Sequence, residues 1–366
     1  MSENKKRGAS AYLLVFGILA AIIAAAALST LLFNRTATTG LQGGNLSYYG
    51  RAPQIVGISS WINSPPLNIT KLKGKVVLVD FWTYSCINCI RTIPFLNALN
   101  REYGGDGLVI IGVHTPEFQF EHNLTNVEAA VRRFNITYPV ALDNNYGTWG
   151  AYNNQYWPAD YLVDANGIIR YESFGEGPES FNGLQQAIRG LLEAANYPLP
   201  QQNVSLADQL NFTQPISPEM YLGYGEIQSG RSNYFGEALH PASAYNYTIP
   251  NAIQPDVIYL SGDWYSAQDS IIAEGNNSRL ILVYRAKDLN VVASGNGGNS
   301  TIRILLNGTT PSQDRIGSNV RLYNGIATAG IGQSQLYNLI NASSYGVSQI
   351  EINASTGFRI YTFTFG

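Results

Sequence analysis

The segment Lys75-Val-Val-Leu-Val-Asp80-Phe-Trp-Thr-Tyr-Ser-Cys86-Ile-Asn-Cys89-Ile-Arg-Thr-Ile-Pro94 constrains this chain more than any other. Its first half is an apolar, β-branched run that reads as a fully buried strand, and a helical pattern begins between the two cysteines. Cys86 and Cys89 are the only cysteines in 366 residues, so the pair works on itself or on another molecule. A C-x-x-C at a strand-to-helix junction can close a local disulfide and open it again. The first thiol then lies at a helix N-terminus, where unpaired N–H groups and the macrodipole favour thiolate. Thiol–disulfide exchange is therefore the leading reading, with a metal site and a static disulfide as the alternatives. Structural zinc would need two of the three histidines, His114, His122 and His240, and none stands at ligand spacing to the pair. Covalent haem needs a histidine directly after the second cysteine, where Ile90 stands. No metal and no cofactor is expected.

Asp80 places a carboxylate inside an otherwise apolar strand. Burying it costs several kcal/mol unless it is paired or protonated. It reads either as a proton acceptor for Cys89 or as a satisfied structural acid. Trp82 is a candidate contact for substrate, although Phe81 and Trp82 also read as core. His114 and Glu117 read as an acid–base pair or as a plain loop pair. Trp264 and Tyr265 read as a sugar-stacking platform or as core aromatics.

The composition narrows the partners. A net charge of -3, with only 13 % charged residues, leaves no footprint for nucleic acid. Basic residues cluster only at Lys5-Lys6-Arg7, ahead of an uncharged apolar run from Ala11 to Phe33. As a helix that run is about 33 Å long, enough for a hydrocarbon core of about 30 Å. The charge bias predicts a single-pass membrane anchor over 11–33, with residues 1–10 cytoplasmic and the rest outside the cell membrane. A cleaved signal peptide is the alternative, with Ala25-Ala26-Ala27 resembling a cleavage site. Thirteen N-x-S/T triplets, from Asn34 to Asn353, all lie beyond the run, as in an extracytoplasmic glycoprotein.

Residues 34–55 read as a tether, and 56–198 as one α/β unit. Strands are expected at 75–81 and 108–113, helices at 91–103 and 127–134, a hairpin at 161–164 and 167–171, and a last helix at about 180–195. Pro198, Pro200, Pro215 and Pro218 mark a linker over 199–217. Beyond it, over 218–366, come short strands at 256–260, 279–284, 289–293, 301–306, 347–352 and 358–365, with Asn/Gly turns between them. An all-β sandwich, jelly-roll-like, is expected there.

The first unit resembles the thioredoxin superfamily, and within it the TlpA/DipZ-type membrane-tethered thiol–disulfide oxidoreductases. The resemblance rests on Val77-Leu-Val-Asp80-Phe-Trp82 before Cys86, on Pro94, and on Tyr156-Trp157-Pro158-Ala-Asp160-Tyr-Leu-Val-Asp164. Gly57-Ile-Ser-Ser-Trp61, Gly112-Val-His114-Thr-Pro-Glu117 and Leu142-Asp143-Asn-Asn-Tyr146 carry it further. Tyr284-Arg-Ala-Lys287-Asp288 and Phe358-Arg-Ile-Tyr-Thr-Phe-Thr-Phe-Gly366 are similar to the carbohydrate-binding-module-like sandwich that follows in that branch. The resemblance implies that Cys86 attacks, that Cys89 is buried and resolves, and that Pro158 is cis. The backbone of Trp157 is then offered to a client. It also implies protein thiols and disulfides as substrates, a carbohydrate as ligand of the last domain, and reduction as the favoured direction. One anchor replaces the electron-conducting membrane domain of the branch, so a separate membrane electron donor is implied. Two alternatives stand beside this reading. Thr83-x-x-Cys86 imitates a peroxiredoxin-like peroxide reductase, although Val79 stands where such sites have proline. A non-enzymatic, glycan-binding surface protein is the other.

Overall fold

The strand expected from Lys75 forms as Val76–Trp82, buried along its whole length. The computed structural model describes residues 46–200, 204, 214–231 and 234–366. The expected anchor and most of the expected linker lie outside the described residues. Among the described residues, no helix is long and apolar enough to cross a membrane.

Seven strands make the first sheet: β1 (Gly50–Arg51), β2 (Ser60–Ile62), β3 (Val76–Trp82), β4 (Leu108–His114), β5 (Val140–Leu142), β6 (Ala159–Val163) and β7 (Ile168–Phe174), in the order β1-β7-β6-β3-β4-β5-β2. Strands β3, β4 and β5 run parallel, and β6 lies antiparallel beside β3. Parallel neighbours need crossovers, and helices supply them. Helix α1 (Ile87–Tyr103) joins β3 to β4, and α2 (Leu124–Arg133) leads from β4 towards β5. The short α3 (Gly147–Ala151) precedes β6, and α4 (Pro178–Ala194) follows β7. This is a thioredoxin-like arrangement. Helix α1 begins between the two cysteines, as the pattern there suggested and four residues before the stretch expected at 91–103, and Cys86 caps it directly.

Alternation along β3 sorts its side chains by face. Val77, Val79 and Phe81 join Ile111, Val113, Ala159, Tyr161 and Val163 in one apolar cluster. Asp80 and Trp82 therefore face the other way.

The C-terminal region is strand-rich, with one short helix, α5 (Tyr224–Gln228). Its strands are β8 (Met220–Tyr221), β9 (Ala244–Tyr247), β10 (Ile258–Ser266), β11 (Ile271–Ala273), β12 (Ser278–Ser294), β13 (Ser300–Leu306), β14 (Arg321–Tyr323), β15 (Ile326–Ile331), β16 (Gln335–Ala354) and β17 (Arg359–Phe365). They form one hydrogen-bonded sheet around one large core. The separate strands expected at 279–284 and 289–293 are one strand, β12. Register shifts between Ala286 and Asp288 and between Leu289 and Asn290 let it bend without ending. Trp264 is fully buried in this core and donates to the Ser261 carbonyl, so it is a core aromatic and not a stacking platform.

Residues 48–366 are one compact unit. Phe118, after β4, is buried with Tyr221, Val292 and Tyr361, and Phe120 and Leu336 pack against them. The Tyr84 hydroxyl donates to the Ser334 carbonyl at 3.2 Å. Glu117 accepts from the Tyr221 hydroxyl at 2.7 Å and pairs with Arg231. Covering the aromatic residues after β4 removes their apolar surface from water, which favours association of the two sheets.

Candidate active site

The end of β3, the N-terminus of α1, the loop after β4 and the turn before β6 bring the chemistry-bearing residues together. Cys86 is the N-cap of α1 and is extended in backbone (φ -72°, ψ 116°). Its Sγ accepts from the Cys89 amide at 3.2 Å, filling the place that serine or aspartate holds in ordinary caps. Both cysteines are free thiols; Cys86 is half-buried and Cys89 fully buried.

A low thiol pKa at the helix start was expected for Cys86, and the balance runs the other way. Burial pushes its thiol up, and Glu219 and Glu117 add to this, while hydrogen bonds with Cys89 pull it down. The C-terminal region supplies Glu219, which sequence spacing alone does not bring to Cys86. Burial pushes the Cys89 thiol well above the usual range, with Cys86 and Asp80 contributing.

Asp80 is 1 % exposed and its carboxyl is pushed well above the usual carboxylate range, by burial first and by Asp160 second. Asp160 is its direct register partner across β3 and β6, itself 8 % exposed and pushed by burial up to about 7. On the other side of Asp80 stands Gly112. A Cβ there would lie 2.9 Å from Trp82 Nε1 and 3.1 Å from Tyr138. Trp82 is thus core, 1 % exposed, and the expectation that it meets a client is corrected.

The Trp157–Pro158 peptide bond is cis. Trp157 is half-buried, donates from Nε1 to the Thr115 carbonyl at 3.2 Å, and packs on Trp149 with ring centroids 4.2 Å apart. These contacts tie Trp157 to the loop after β4.

His114 and Glu117 do not pair with each other. His114 is fully buried, 3.3 Å from the Thr83 hydroxyl, and burial lowers its pKa to about 3, so it stays neutral.

Glu121 has no signal in the sequence; it follows two phenylalanines, in the 3-10 turn Gln119–His122. It is fully buried, and accepts from the Ser85 hydroxyl at 2.6 Å, the Glu117 amide at 2.6 Å and the Phe118 amide at 2.9 Å. Burial lifts its carboxyl to about 7. It fixes the loop after β4 against the residue preceding Cys86. Asp160 and Tyr138 were also missed as site residues. For Asp160 the signal existed: a carboxylate between apolar residues, as for Asp80. Among the described residues, no group of His, Cys, Asp and Glu could hold a metal ion.

Residues 63–172 match the AhpC/TSA family, and residues 217–366 match the thioredoxin like C-terminal domain. Protein DipZ of Mycobacterium bovis is 34% identical over 322 residues, which is 87% of this chain and 43% of that protein. The chain therefore spans less than half the length of this relative. Thiol-disulfide oxidoreductase YkuV of Bacillus subtilis is 26% identical over 140 residues, 38% of this chain and 93% of YkuV. Thiol-disulfide oxidoreductase ResA of Geobacillus thermodenitrificans is 31% identical over 102 residues, 28% of this chain and 56% of ResA. The chain thus carries a thioredoxin-like AhpC/TSA domain followed by a thioredoxin like C-terminal domain, and is a homologue of DipZ and of thiol-disulfide oxidoreductases.

Proposed function

We propose that this protein reduces disulfides of client proteins through Cys86 and Cys89, held outside the membrane by an anchor at 11–33 and recharged by a separate membrane electron donor. The observation that carries the reading is the thiol pair itself: one sulfur, on the half-buried Cys86, capping a helix, and one on the fully buried Cys89 three residues on. Deprotonated Cys86 attacks a client disulfide and forms a mixed disulfide. Cys89 then attacks Cys86 Sγ, closes the local disulfide and expels the client as a thiol. The Trp157 backbone beside cis-Pro158 lines up the client strand.

The reductive direction is favoured by the electrostatics. An oxidant stabilises its reduced form by stabilising the nucleophilic thiolate. Here burial and two carboxylates oppose that thiolate. Equilibrating the full chain with graded glutathione buffers tests this. The expected potential is near that of thioredoxin, about -270 mV, and a value near -120 mV would make the protein an oxidant. A peroxiredoxin reading has less support, because the Thr83 hydroxyl is engaged by His114.

A further inference from the structure

The Asn-x-Ser/Thr triplets are a sequence signal that the thiol chemistry leaves unused. Thirteen of the 34 asparagines begin one, whereas 48 serines and threonines in 366 residues would give about four or five by chance. A surface merely rich in Asn, Ser and Thr therefore does not account for them. Nine of the triplets lie among the described residues, and none of their nine asparagines is buried. The buried Asn154 and Asn290 begin no triplet. Neither does Asn88, between the two cysteines, because Ile90 stands at the third position.

The fold sorts the nine. A sugar is joined to the side-chain nitrogen, so that atom must be exposed and uncommitted. Asn123, Asn276 and Asn307 are exposed and commit the oxygen instead. Their Oδ1 atoms accept from the Thr125 amide at 2.9 Å, the Thr356 hydroxyl at 3.1 Å and the Gln349 amide at 2.8 Å. Asn135, Asn299 and Asn341 are exposed as well. Asn246 and Asn353 give the nitrogen away, to Asp263 at 2.7 Å and to Glu351 at 3.0 Å, and Asn68 is half-buried.

We propose that Asn123, Asn135, Asn276, Asn299, Asn307 and Asn341 carry N-linked oligosaccharides. The proposal rests on the outward placement of the chain given above. Asn123 caps α2 and Asn135 lies just beyond its other end. Asn276 and Asn299 stand in the turns before and after β12, Asn307 follows β13, and Asn341 lies on β16 beside the register shift opposite Asp288. Only 13 % of the residues are charged, so ionic hydration of this surface is sparse. Bulky, hydrated oligosaccharides supply the solubility that charges supply elsewhere.

The donor is an oligosaccharide carried on a membrane polyprenyl phosphate, and a transferase catalyses the step. Nδ2 of asparagine attacks the anomeric carbon. The carbon–nitrogen bond forms, and the bond from that carbon to the phosphate oxygen breaks. The nitrogen gives one proton to a base of the transferase and keeps the other, and the lipid phosphate leaves with the bonding pair. Nothing is oxidised or reduced.

The test is peptide mapping by mass spectrometry of the full chain, extracted in detergent from membranes of the cells that make it naturally. Sugar mass is expected on the peptides of the six asparagines and not on those of Asn68, Asn246 and Asn353. Ser343 is exposed, and Ser343→Ala removes the Asn341 triplet. This variant should lose sugar at Asn341 alone and reduce client disulfides at the native rate. Protease added to intact cells reports separately whether the chain faces outward. Bare peptides at all six positions of a protease-accessible chain would overturn the proposal and leave the outward placement standing. A protected, sugar-free chain would overturn both. Sugar retained at Asn341 in Ser343→Ala, or spread equally over all nine triplets, would overturn the selection of these six.

Discussion

Burial of acids without cations is the dominant feature at the level of single residues. Asp80, Asp160 and Glu121 are all held above their ordinary range, chiefly by desolvation. In the unfolded chain each releases its proton near pH 4. The native state therefore holds more protons than the unfolded state as pH rises from about 4 to 7, and the linkage relation gives stability falling over that window. Stability from these groups is fully present below their unfolded values and is lost as pH passes through the native values, about 7 for Asp160 and Glu121. Urea midpoints should thus be lower at pH 8 than at pH 5. Asp160→Asn should flatten the profile and raise the pH 8 midpoint by on the order of a few kcal/mol in free energy. A midpoint that climbs from pH 5 to pH 8 would contradict the burial assigned to these carboxyls.

At the scale of elements, the site depends on how closely β3, β4 and β6 lie beside one another. Gly112 is the tightest point, because a side chain there meets Trp82 and Tyr138 at once. Gly112→Ala should destabilise the fold by about 1–3 kcal/mol, as overpacking does. It should also disturb the Asp80 pocket, whose wall is formed by Trp82 and Tyr138. A thermal midpoint unchanged by this variant would show that the strands can separate more easily than the packing implies. The long strands and helices of the first sheet were legible because each is a strong periodic or β-branched run, and only their ends moved, whereas the short β1, β2, β5 and α3 carry no such pattern and were not expected. Asp80 and the two cysteines were legible too, since a carboxylate in an apolar strand and a C-x-x-C at a junction carry their own chemistry. Asp160 carried the same signal but acquires meaning only through register with Asp80. Glu121 was not legible, because its burial comes from tertiary packing over the short 3-10 turn Gln119–His122. In the C-terminal region, Arg285-Ala-Lys-Asp288 reads as a turn, and the bulges that carry β12 through it leave no local mark.

For the whole molecule, the C-terminal strands cover Phe118 and Phe120 and hold Glu117 through Tyr221 and Arg231. The loop after β4 is thereby braced from outside while Glu121 braces it from within, and Glu219 enters the environment of Cys86. Without these strands, residues 56–198 would expose Phe118 and Phe120 on the loop after β4. The central claim is that this assembly presents one nucleophilic sulfur and keeps one resolving sulfur behind it. Thiol trapping on non-reducing gels, with full-length single-cysteine variants mixed with disulfide-bonded client protein, tests it most directly. Cys89→Ala should accumulate mixed disulfides through Cys86, because the resolving step is gone. Cys86→Ala should accumulate none, because the remaining thiol is fully buried and its pKa is pushed well up. Equal trapping by both variants, or none by either, would contradict the assignment of Cys86 as the nucleophile.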